Sequence, residues 1–255
     1  MTINVNKPPV GLLLTEGEDE TAIKALAQHF GVPIISEVAA FGEPHILMKL
    51  GVLQLVMNTG KKTLSTRVDF SKPRFTAGKV DPLIRAMGGA NRRVLDMTAG
   101  WGRDAHHLAS NGYWVSALEQ HPAIALMLEQ SRRESRDDIT SERLRFYHHD
   151  SRHQVLPFIN KLESQFVPLD VVYIDPMFPP KRKRSAAVKK EVVLLQAVVE
   201  AYCANSDTTL LDQALQLGVN RVVIKRPTRA APVAGRAPNG SVDGKLVRFD
   251  IYSPN

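Results

Sequence analysis

The chain has 255 residues, of which 44% are hydrophobic and 23% are charged, a composition typical of a globular protein with a full hydrophobic core. It contains no run of about 18 apolar residues and no basic leader followed by an apolar stretch, so we expect neither a membrane span nor export. The single cysteine, Cys203, excludes an internal disulfide and a thiolate metal cluster, and predicts a cytoplasmic protein. The net charge of +7 favours a polyanionic partner, because basic side chains that neutralise phosphates release counterions.

Residues 1–78 are predicted to form a small N-terminal α+β subdomain. Val10–Leu14 is a short apolar strand, and Thr21–Phe30 has apolar residues at helical spacing with Gly31 as a typical C-cap. Two apolar stretches follow with the pattern of paired strands, His45–Gly51 and Leu53–Asn58. The basic segment from Thr59 to Lys79 predicts a linker or a binding surface at a domain boundary.

Residues 79–255 are predicted to form a second, larger domain in which strands alternate with helices. The predicted strands are Arg93–Met97, Trp114–Glu119, Arg143–Asp150, Asp170–Asp175, Arg221–Lys225 and Lys245–Tyr252. Alternation of this kind predicts a Rossmann-like α/β fold, with a mostly parallel sheet that helices cover on both faces. Ligands of such folds bind at the carboxyl ends of the strands.

A glycine loop, "DMTAGWGRDA", follows the first strand of this domain. Gly100, Gly102 and Ala105 have G-x-G-x-x-A spacing at the opening of a helix, and Glu119 ends the next strand. Glycine lets the backbone approach a ligand closely, and a carboxylate can accept hydrogen bonds from ribose hydroxyls. The pattern alone fits NAD, S-adenosylmethionine (SAM) or a tight turn without a ligand.

Two neighbouring features favour SAM. Asp96 ends the strand before the glycines, where its charge can attract the sulfonium and ammonium groups of SAM. Asp150 and Ser151 follow the third strand, where a carboxylate and a hydroxyl can bind the adenine amino group. A capping role for Asp104 and a solvated side chain for Arg103 are the structural alternatives.

The fourth strand ends in Asp175-Pro176-Met177-Phe178, which resembles the D/N-P-P-Y/F motif of methyltransferases that modify a nitrogen conjugated to a ring or carbonyl. The Asp175 carboxylate and the Pro176 carbonyl can accept both amine hydrogens, and Phe178 can stack on the base. An ordinary Asp-Pro turn is the alternative. Because the motif follows a glycine loop in the correct order, the enzymatic interpretation is favoured.

Two basic segments follow the carboxyl ends of neighbouring strands and are predicted to contact RNA phosphates beside the cofactor. They contain Lys181, Arg182, Lys183, Arg184, Lys189, Lys190, Lys225, Arg226, Arg229 and Arg236. A solvated charged surface is the alternative. The pairs His106-His107 and His148-His149 predict no metal site, because adjacent side chains point in different directions.

Taken together, the motifs resemble the ribosomal RNA small subunit methyltransferase J family. The resemblance extends from Val94 to Tyr252 and rests on "DMTAGWGRDA", "YIDPMFP", "KRKRSAAVKKE", "RVVIKRP" and "RFDIY". It implies a class I methyltransferase fold with a seven-stranded, mostly parallel sheet and an antiparallel last strand. It also implies a SAM-dependent enzyme that makes N2-methylguanosine at the 1516 site of 16S rRNA, free or in the small ribosomal subunit.

The resemblance assigns roles to particular residues of this chain. It implies that SAM contacts Arg103, Asp104, Glu119, Gln120, Asp150 and Ser151, with Asp175 beside the methyl group and the amine. Trp101 stands where a smaller apolar residue is expected, and Asp150 stands where serine is expected. The segment Phe70–Lys79 lacks the stretch rich in histidine, arginine and glycine that is expected before the first strand of the larger domain. The rival functions are a D-P-x-F methyltransferase of DNA adenine or protein glutamine, and a non-catalytic RNA-binding assembly factor.

Overall fold

The structure is a computed structural model that describes residues 9–15, 20–70, 81–90, 92–135, 142–176, 190–199 and 207–253. Its strands form a five-stranded sheet, in spatial order β2 (Ile34–Ile35), β1 (Leu12–Leu14), β3 (Pro44–Lys49), β4 (Val52–Asn58) and β5 (Thr63–Thr66). They also form a seven-stranded sheet, in spatial order β11 (Gly240–Asp243), β12 (Val247–Tyr252), β10 (Val222–Pro227), β9 (Val171–Ile174), β6 (Arg93–Asp96), β7 (Trp114–Glu119) and β8 (Leu144–His148). The helices are α1 (Glu20–Phe30), α2 (Pro82–Met87), α3 (Arg103–Ser110), α4 (Pro122–Glu134), α5 (Val155–Ile159), α6 (Lys190–Val199) and α7 (Asp207–Leu215).

The seven-stranded sheet has the topology that was predicted for the larger domain. β8, β7, β6, β9 and β10 run parallel, and β12 runs antiparallel between β10 and β11. The predicted pairing of the last strand with the strand at Val222–Pro227 is therefore confirmed, as is the class I methyltransferase fold. β11 was not predicted, because its sequence is short and polar and it lies at the edge of the sheet.

Helices cover both faces of this sheet, and the side chains of each central strand alternate between two cores. In β9, Val171 and Tyr173 point into a core that contains residues of α3, α4 and the five-stranded sheet. Val172 and Ile174 point into the opposite core, which contains residues of α5 and α7. The strand is fully buried on both faces, which explains its continuous apolar sequence.

The N-terminal residues form the five-stranded sheet, with α1 beside it. The paired strands predicted at His45–Gly51 and Leu53–Asn58 are confirmed as β3 and β4. A third antiparallel strand, β5, lies in the polar segment that was predicted as a linker or a binding surface. α1 packs against α4, and α6 packs against β5, so the two sheets share one continuous hydrophobic core. The predicted domain boundary near residue 79 lies outside the described residues.

Phe70 connects the N-terminal residues to the predicted cofactor site. Its ring stacks on His106 of α3, with centroids 4.8 Å apart, and on Phe146 of β8, with centroids 5.9 Å apart. Phe70 thus packs one end of the N-terminal residues against α3 and β8.

The first helix of the larger domain, α2, is capped by Asp81, whose carboxylate accepts a hydrogen bond from the N–H of Leu83 at 2.8 Å. No helix in the described part of the chain combines the length and apolar character needed to cross a bilayer.

Candidate active site

Strand register brings four polar side chains to one face of the sheet at its carboxyl edge. Asp96 pairs with Tyr173 between β6 and β9, and Ile224 pairs with Ile174 between β10 and β9. Because side chains alternate along a strand, Asp175 and Lys225 point to the same face as Tyr173. Three separate strands therefore place carboxylate, phenol and ammonium groups together.

The glycine loop between β6 and α3 needs glycine for two different reasons. Gly100 and Gly102 have φ values of +54° and +67°, which disfavour any side chain. A Cβ atom on Gly102 would lie 2.6 Å from Leu128 Cδ2 and 3.0 Å from Phe146 Cζ, so the loop is tightly packed there. Among the described residues, a Cβ atom on Gly100 would have only the Thr98 carbonyl oxygen nearby, at 3.9 Å, so this part of the structure leaves the surface above Gly100 open to a ligand.

Glu119 ties the end of β7 to this loop. Its two carboxylate oxygens accept hydrogen bonds from the N–H groups of Gly100, at 2.9 Å, and His121, at 2.8 Å. Burial raises the pKa of Glu119 to about 7, although these backbone donors oppose the shift. A carboxylate has about four lone-pair positions, so Glu119 retains acceptor capacity for ribose hydroxyls.

Asp96 and Asp175 are joined through Thr98. The Thr98 N–H donates to Asp96 Oδ1 at 2.9 Å, and the Asp175 N–H donates to Thr98 Oγ1 at 2.6 Å. Burial raises the pKa of Asp96 to about 7; the Thr98 N–H opposes the shift, the Asp175 charge adds to it, and the Lys225 charge opposes it. A cationic ligand at this site would favour the ionised form of Asp96.

The Lys225 ammonium links Asp175 to α3. Its Nζ donates to Asp175 Oδ2 at 2.5 Å and to Asp104 Oδ2 at 3.1 Å. The Tyr173 hydroxyl donates to the same Asp104 oxygen at 2.5 Å. The first turn of the helix after the glycine loop is thus connected by direct hydrogen bonds to the predicted amine-binding carboxylate.

The segment after β8 places a further polar pair at the carboxyl edge. Asp150 accepts hydrogen bonds from Arg152 Nε at 2.8 Å and from Arg152 Nη2 at 2.6 Å. Burial acts to raise the pKa of Asp150, but the hydrogen bonds and charge of Arg152 outweigh it and hold the pKa below its usual value. Ser151 is 3% exposed, and its hydroxyl has no hydrogen-bond partner among the described residues. A buried hydroxyl of this kind is suited to a ligand.

The arrangement fits SAM. Gly100 leaves an open approach to the backbone, Glu119 lies beside it, Asp96 offers a buried carboxyl group and Ser151 offers the unused hydroxyl. A family model for SAM-dependent methyltransferases matches residues 38–254 of the chain. The cofactor is SAM.

Two relatives narrow the family further. The chain is 37% identical to a protein from Edwardsiella ictaluri, over 96% of this chain and 98% of the relative. It is 35% identical to a protein from Neisseria meningitidis, over 95% and 96%. Both relatives are named ribosomal RNA small subunit methyltransferase J. The chain belongs to the ribosomal RNA small subunit methyltransferase J family. A solved SAM-dependent methyltransferase from Neisseria gonorrhoeae has the same fold, with a TM-score of 0.75, 28% identity and 96% coverage of each chain.

The structure places the remaining residues that resemblance to the methyltransferase J family assigned to SAM. Arg103 begins α3 and forms an ion pair at 2.5 Å with Glu191 in the first turn of α6. The backbone carbonyl of Gln120 accepts a hydrogen bond from His148 Nε2 at 3.1 Å. Trp101, in the glycine loop, packs against the core, and its buried indole N–H has no partner among the described residues. The SAM contacts of individual residues remain predictions.

The residues predicted to bind RNA differ in their surroundings. Lys190 is exposed at the start of α6, whereas Lys225 is engaged by two carboxylates. Arg226 is 7% exposed and donates to the Ala231 carbonyl at 2.8 Å. Arg229 and Arg236 are exposed after β10, and Arg236 lies 3.6 Å from Asp212. The other residues predicted to bind RNA lie outside the described residues: Lys181, Arg182, Lys183, Arg184 and Lys189. Phe178, which is predicted to stack on the base, also lies outside them.

Sequence reasoning missed the residues that support Asp175. Thr98 and Tyr173 were not assigned roles, and Lys225 was interpreted as a phosphate contact. The sequence signal for this contact is that Lys225 and Asp175 each follow an apolar run. In the structure these two runs form the neighbouring parallel strands β10 and β9. Only the strand order turns that observation into a contact.

Proposed function

We propose that this chain transfers a methyl group from SAM to the exocyclic N2 amine of a guanosine in 16S rRNA. The observation that carries the proposal is the Asp175 carboxylate, which lies beside the glycine-loop elements with its backbone fixed by Thr98 and its side chain fixed by Lys225. The names of the relatives, ribosomal RNA small subunit methyltransferase J, support small-subunit rRNA as the substrate. The N2 position and the 1516 site follow from the family resemblance.

The chemistry explains why a fixed acceptor is needed. The lone pair of an exocyclic guanine amine is delocalised into the ring, so the amine is a weak nucleophile. Asp175 and the carbonyl of Pro176 can accept its two hydrogens, which orients the amine and returns electron density to nitrogen. Within the described part of the chain, Asp175 Oδ1 has no donor, and the side chain is 32% exposed, so the acceptor is accessible.

SAM and the residues of the site would have separate roles in methyl transfer. Bound SAM supplies a methyl group whose bond to the sulfonium breaks with both electrons staying on sulfur. Asp96, Gly100, Gly102, Glu119 and Ser151 would hold it at the carboxyl edge of the sheet. The amine nitrogen forms the new bond to carbon with its own lone pair and loses one proton. Asp175 stabilises the positive charge that develops on nitrogen, and the proton can leave through Asp175 or directly to water.

The RNA must present an unstacked base to this site. Methyltransferases that act on a base turn it out of its stack, and Phe178 would supply the stacking surface. The basic residues from Lys181 to Lys190 follow Asp175 directly in the chain, so they would meet the neighbouring phosphates. We propose that this reaction occurs in the cytoplasm, on free 16S rRNA or on the small ribosomal subunit.

Methyl incorporation from labelled SAM tests this function. The wild-type protein should label 16S rRNA from cells that lack the gene, and nucleoside mass spectrometry should identify N2-methylguanosine. Asp175→Ala should bind SAM normally in calorimetry and lose methylation by at least about 100-fold. Asp243→Ala, an exposed carboxylate on β11, is the matched control and should remain active.

The other outcomes identify the rival functions. Label in the DNA or protein fraction would favour an adenine or glutamine methyltransferase. Failure of the wild-type protein to bind SAM would favour a non-catalytic assembly factor. Unchanged turnover by Asp175→Ala would refute the role given to this carboxylate.

A further inference from the structure

The Lys225 ammonium is held inside the protein rather than presented to solvent. Its side chain is 18% exposed, and it donates to Asp175 Oδ2 at 2.5 Å and to Asp104 Oδ2 at 3.1 Å. Two of its three donors are therefore used by carboxylates. A phosphate contact would have to compete with two partly buried ion pairs, which are screened less by salt than exposed pairs are.

The groups around Lys225 are themselves fixed. The Tyr173 hydroxyl donates to the Asp104 oxygen that also accepts from Lys225. On the other side, the Asp175 N–H donates to Thr98. Lys225 is thus the middle of a chain of hydrogen bonds that runs from the helix after the glycine loop to the carboxylate at the end of β9.

Sheet geometry makes this contact a built feature of the fold. Ile224 pairs with Ile174 in the parallel strands β10 and β9. Lys225 is the next residue of β10 and Asp175 directly follows β9, so their side chains share a face. The lysine comes from a strand, and rigid elements hold functional groups more precisely than loops do. Asp175, by contrast, is the first residue of the loop after β9 and is followed directly by Pro176.

From this geometry we propose that Lys225 is a positioning residue for methyl transfer. It holds Asp175 through Oδ2 so that Oδ1 is turned to the amine, and it links the carboxylate to Asp104 beside the SAM-binding loop. This inference rests on the function proposed above. It gives Lys225 a different role from the phosphate contact that the sequence predicted, and the two roles differ in the kinetic constant that they control.

The distinction follows from when each interaction matters. A lysine that contacts phosphate strengthens RNA binding, so its loss raises the KM for RNA and reduces the salt dependence of binding. A lysine that positions Asp175 acts on the geometry of the reacting amine, so its loss lowers kcat. A shift of about 1 Å in a reacting group can reduce the rate by about 100-fold.

Three variants separate these roles. Lys225→Met removes the charge and keeps much of the side-chain length, whereas Lys225→Arg keeps a cation. Lys161→Met is the matched control, because Lys161 is an exposed lysine after α5. The measurements are kcat and KM with 16S rRNA that lacks the methyl group, the Kd of SAM by calorimetry, and circular dichroism of each variant.

We expect Lys225→Met to lower kcat about 100-fold while the SAM Kd and the RNA KM stay within about twofold of the wild type. Lys225→Arg should have a kcat about tenfold above that of Lys225→Met, because its guanidinium retains the charge but not the ammonium geometry. Lys161→Met should match the wild type in all three constants.

Several results would overturn the positioning role. They are a kcat for Lys225→Met equal to that of Lys161→Met, a loss confined to the RNA KM, or a loss of SAM affinity as large as the loss of kcat. If Lys225→Met does not fold, Lys225→Gln takes its place under the same criteria. A wild-type protein that makes no N2-methylguanosine would instead refute the proposed function, so the two failures are distinguishable.

Discussion

Replacing Gly100 with alanine tests whether SAM lies directly against the glycine loop. Of the residues that the structure describes, the added methyl group would meet only the Thr98 carbonyl, at 3.9 Å from its oxygen. The described part of the chain therefore has room for it. If SAM occupies that space, the methyl group displaces the cofactor without disturbing the surrounding packing.

The cost to stability comes from the backbone alone. Gly100 has φ +54°, and placing a side chain in the left-handed region costs about 1–2 kcal/mol. Gly218 supplies the matched control, because it is an exposed turn glycine with φ +66° and no described residue within 4 Å of an added Cβ. The two alanine variants should lose similar amounts of unfolding free energy, and only Gly100→Ala should weaken SAM binding, by at least about tenfold or 1.4 kcal/mol.

Gly102→Ala gives the contrasting result. Its Cβ would lie 2.6 Å from Leu128 Cδ2, so about 1–3 kcal/mol of overpacking adds to the backbone cost. This variant should be the least stable of the three.

Urea unfolding and calorimetry of SAM binding measure both quantities. Equal SAM affinity for Gly100→Ala and Gly218→Ala would refute the position assigned to SAM above Gly100. Equal stability of Gly102→Ala and Gly218→Ala would refute the close packing of the loop against α4 and β8.

Two further predictions concern buried carboxylates. Burial raises the pKa values of Asp96 and Glu119 to about 7, so both carboxyl groups are mostly protonated below pH 7. If SAM binding needs a group in its ionised form, the affinity for SAM should increase about tenfold per group from pH 6 to pH 8. Calorimetry should show a smaller pH dependence for Glu119→Gln, and an unchanged slope would argue against Glu119 as an ionised SAM ligand. Arg248→Met should lower the free energy of unfolding by about 3–5 kcal/mol, because it removes the guanidinium from the fully buried Asp250 and leaves the Ser241 hydroxyl as a neutral donor. The exposed Lys245→Met should leave the midpoint of thermal unfolding unchanged. An equal midpoint for Arg248→Met would refute the stabilising role of the Arg248–Asp250 pair.

The sheet was predictable because its central strands leave a strong local pattern. β9 is buried on both faces, so its sequence is continuously apolar and ends abruptly at Asp175. The positions of Asp96 and Glu119 followed for the same reason, since each ends an apolar strand. β11 and β5 were missed because short, partly polar strands take their stability from neighbours rather than from their own residues.

The site was only partly predictable, because charged side chains have partners that the sequence does not indicate. Asp150 is predicted to bind adenine, and the structure adds a partner that the sequence did not indicate, because the Arg152 guanidinium donates hydrogen bonds to both of its carboxylate oxygens. Arg103 pairs with Glu191, which lies 88 residues away in the chain. Such pairs depend on where helices lie over the sheet, and no spacing rule encodes that position.

The sequence by itself determined the class of fold, the glycine loop and the acidic strand ends, because these depend on local periodicity and on the rule that parallel strands bind ligands at their carboxyl ends. The tertiary structure decided the surroundings of Lys225. That residue lies 50 positions from Asp175, and only the adjacency of β9 and β10 brings the two together. A basic residue seen in sequence predicts a surface charge, whereas sheet register places this one between two carboxylates, where its charge acts on the site itself.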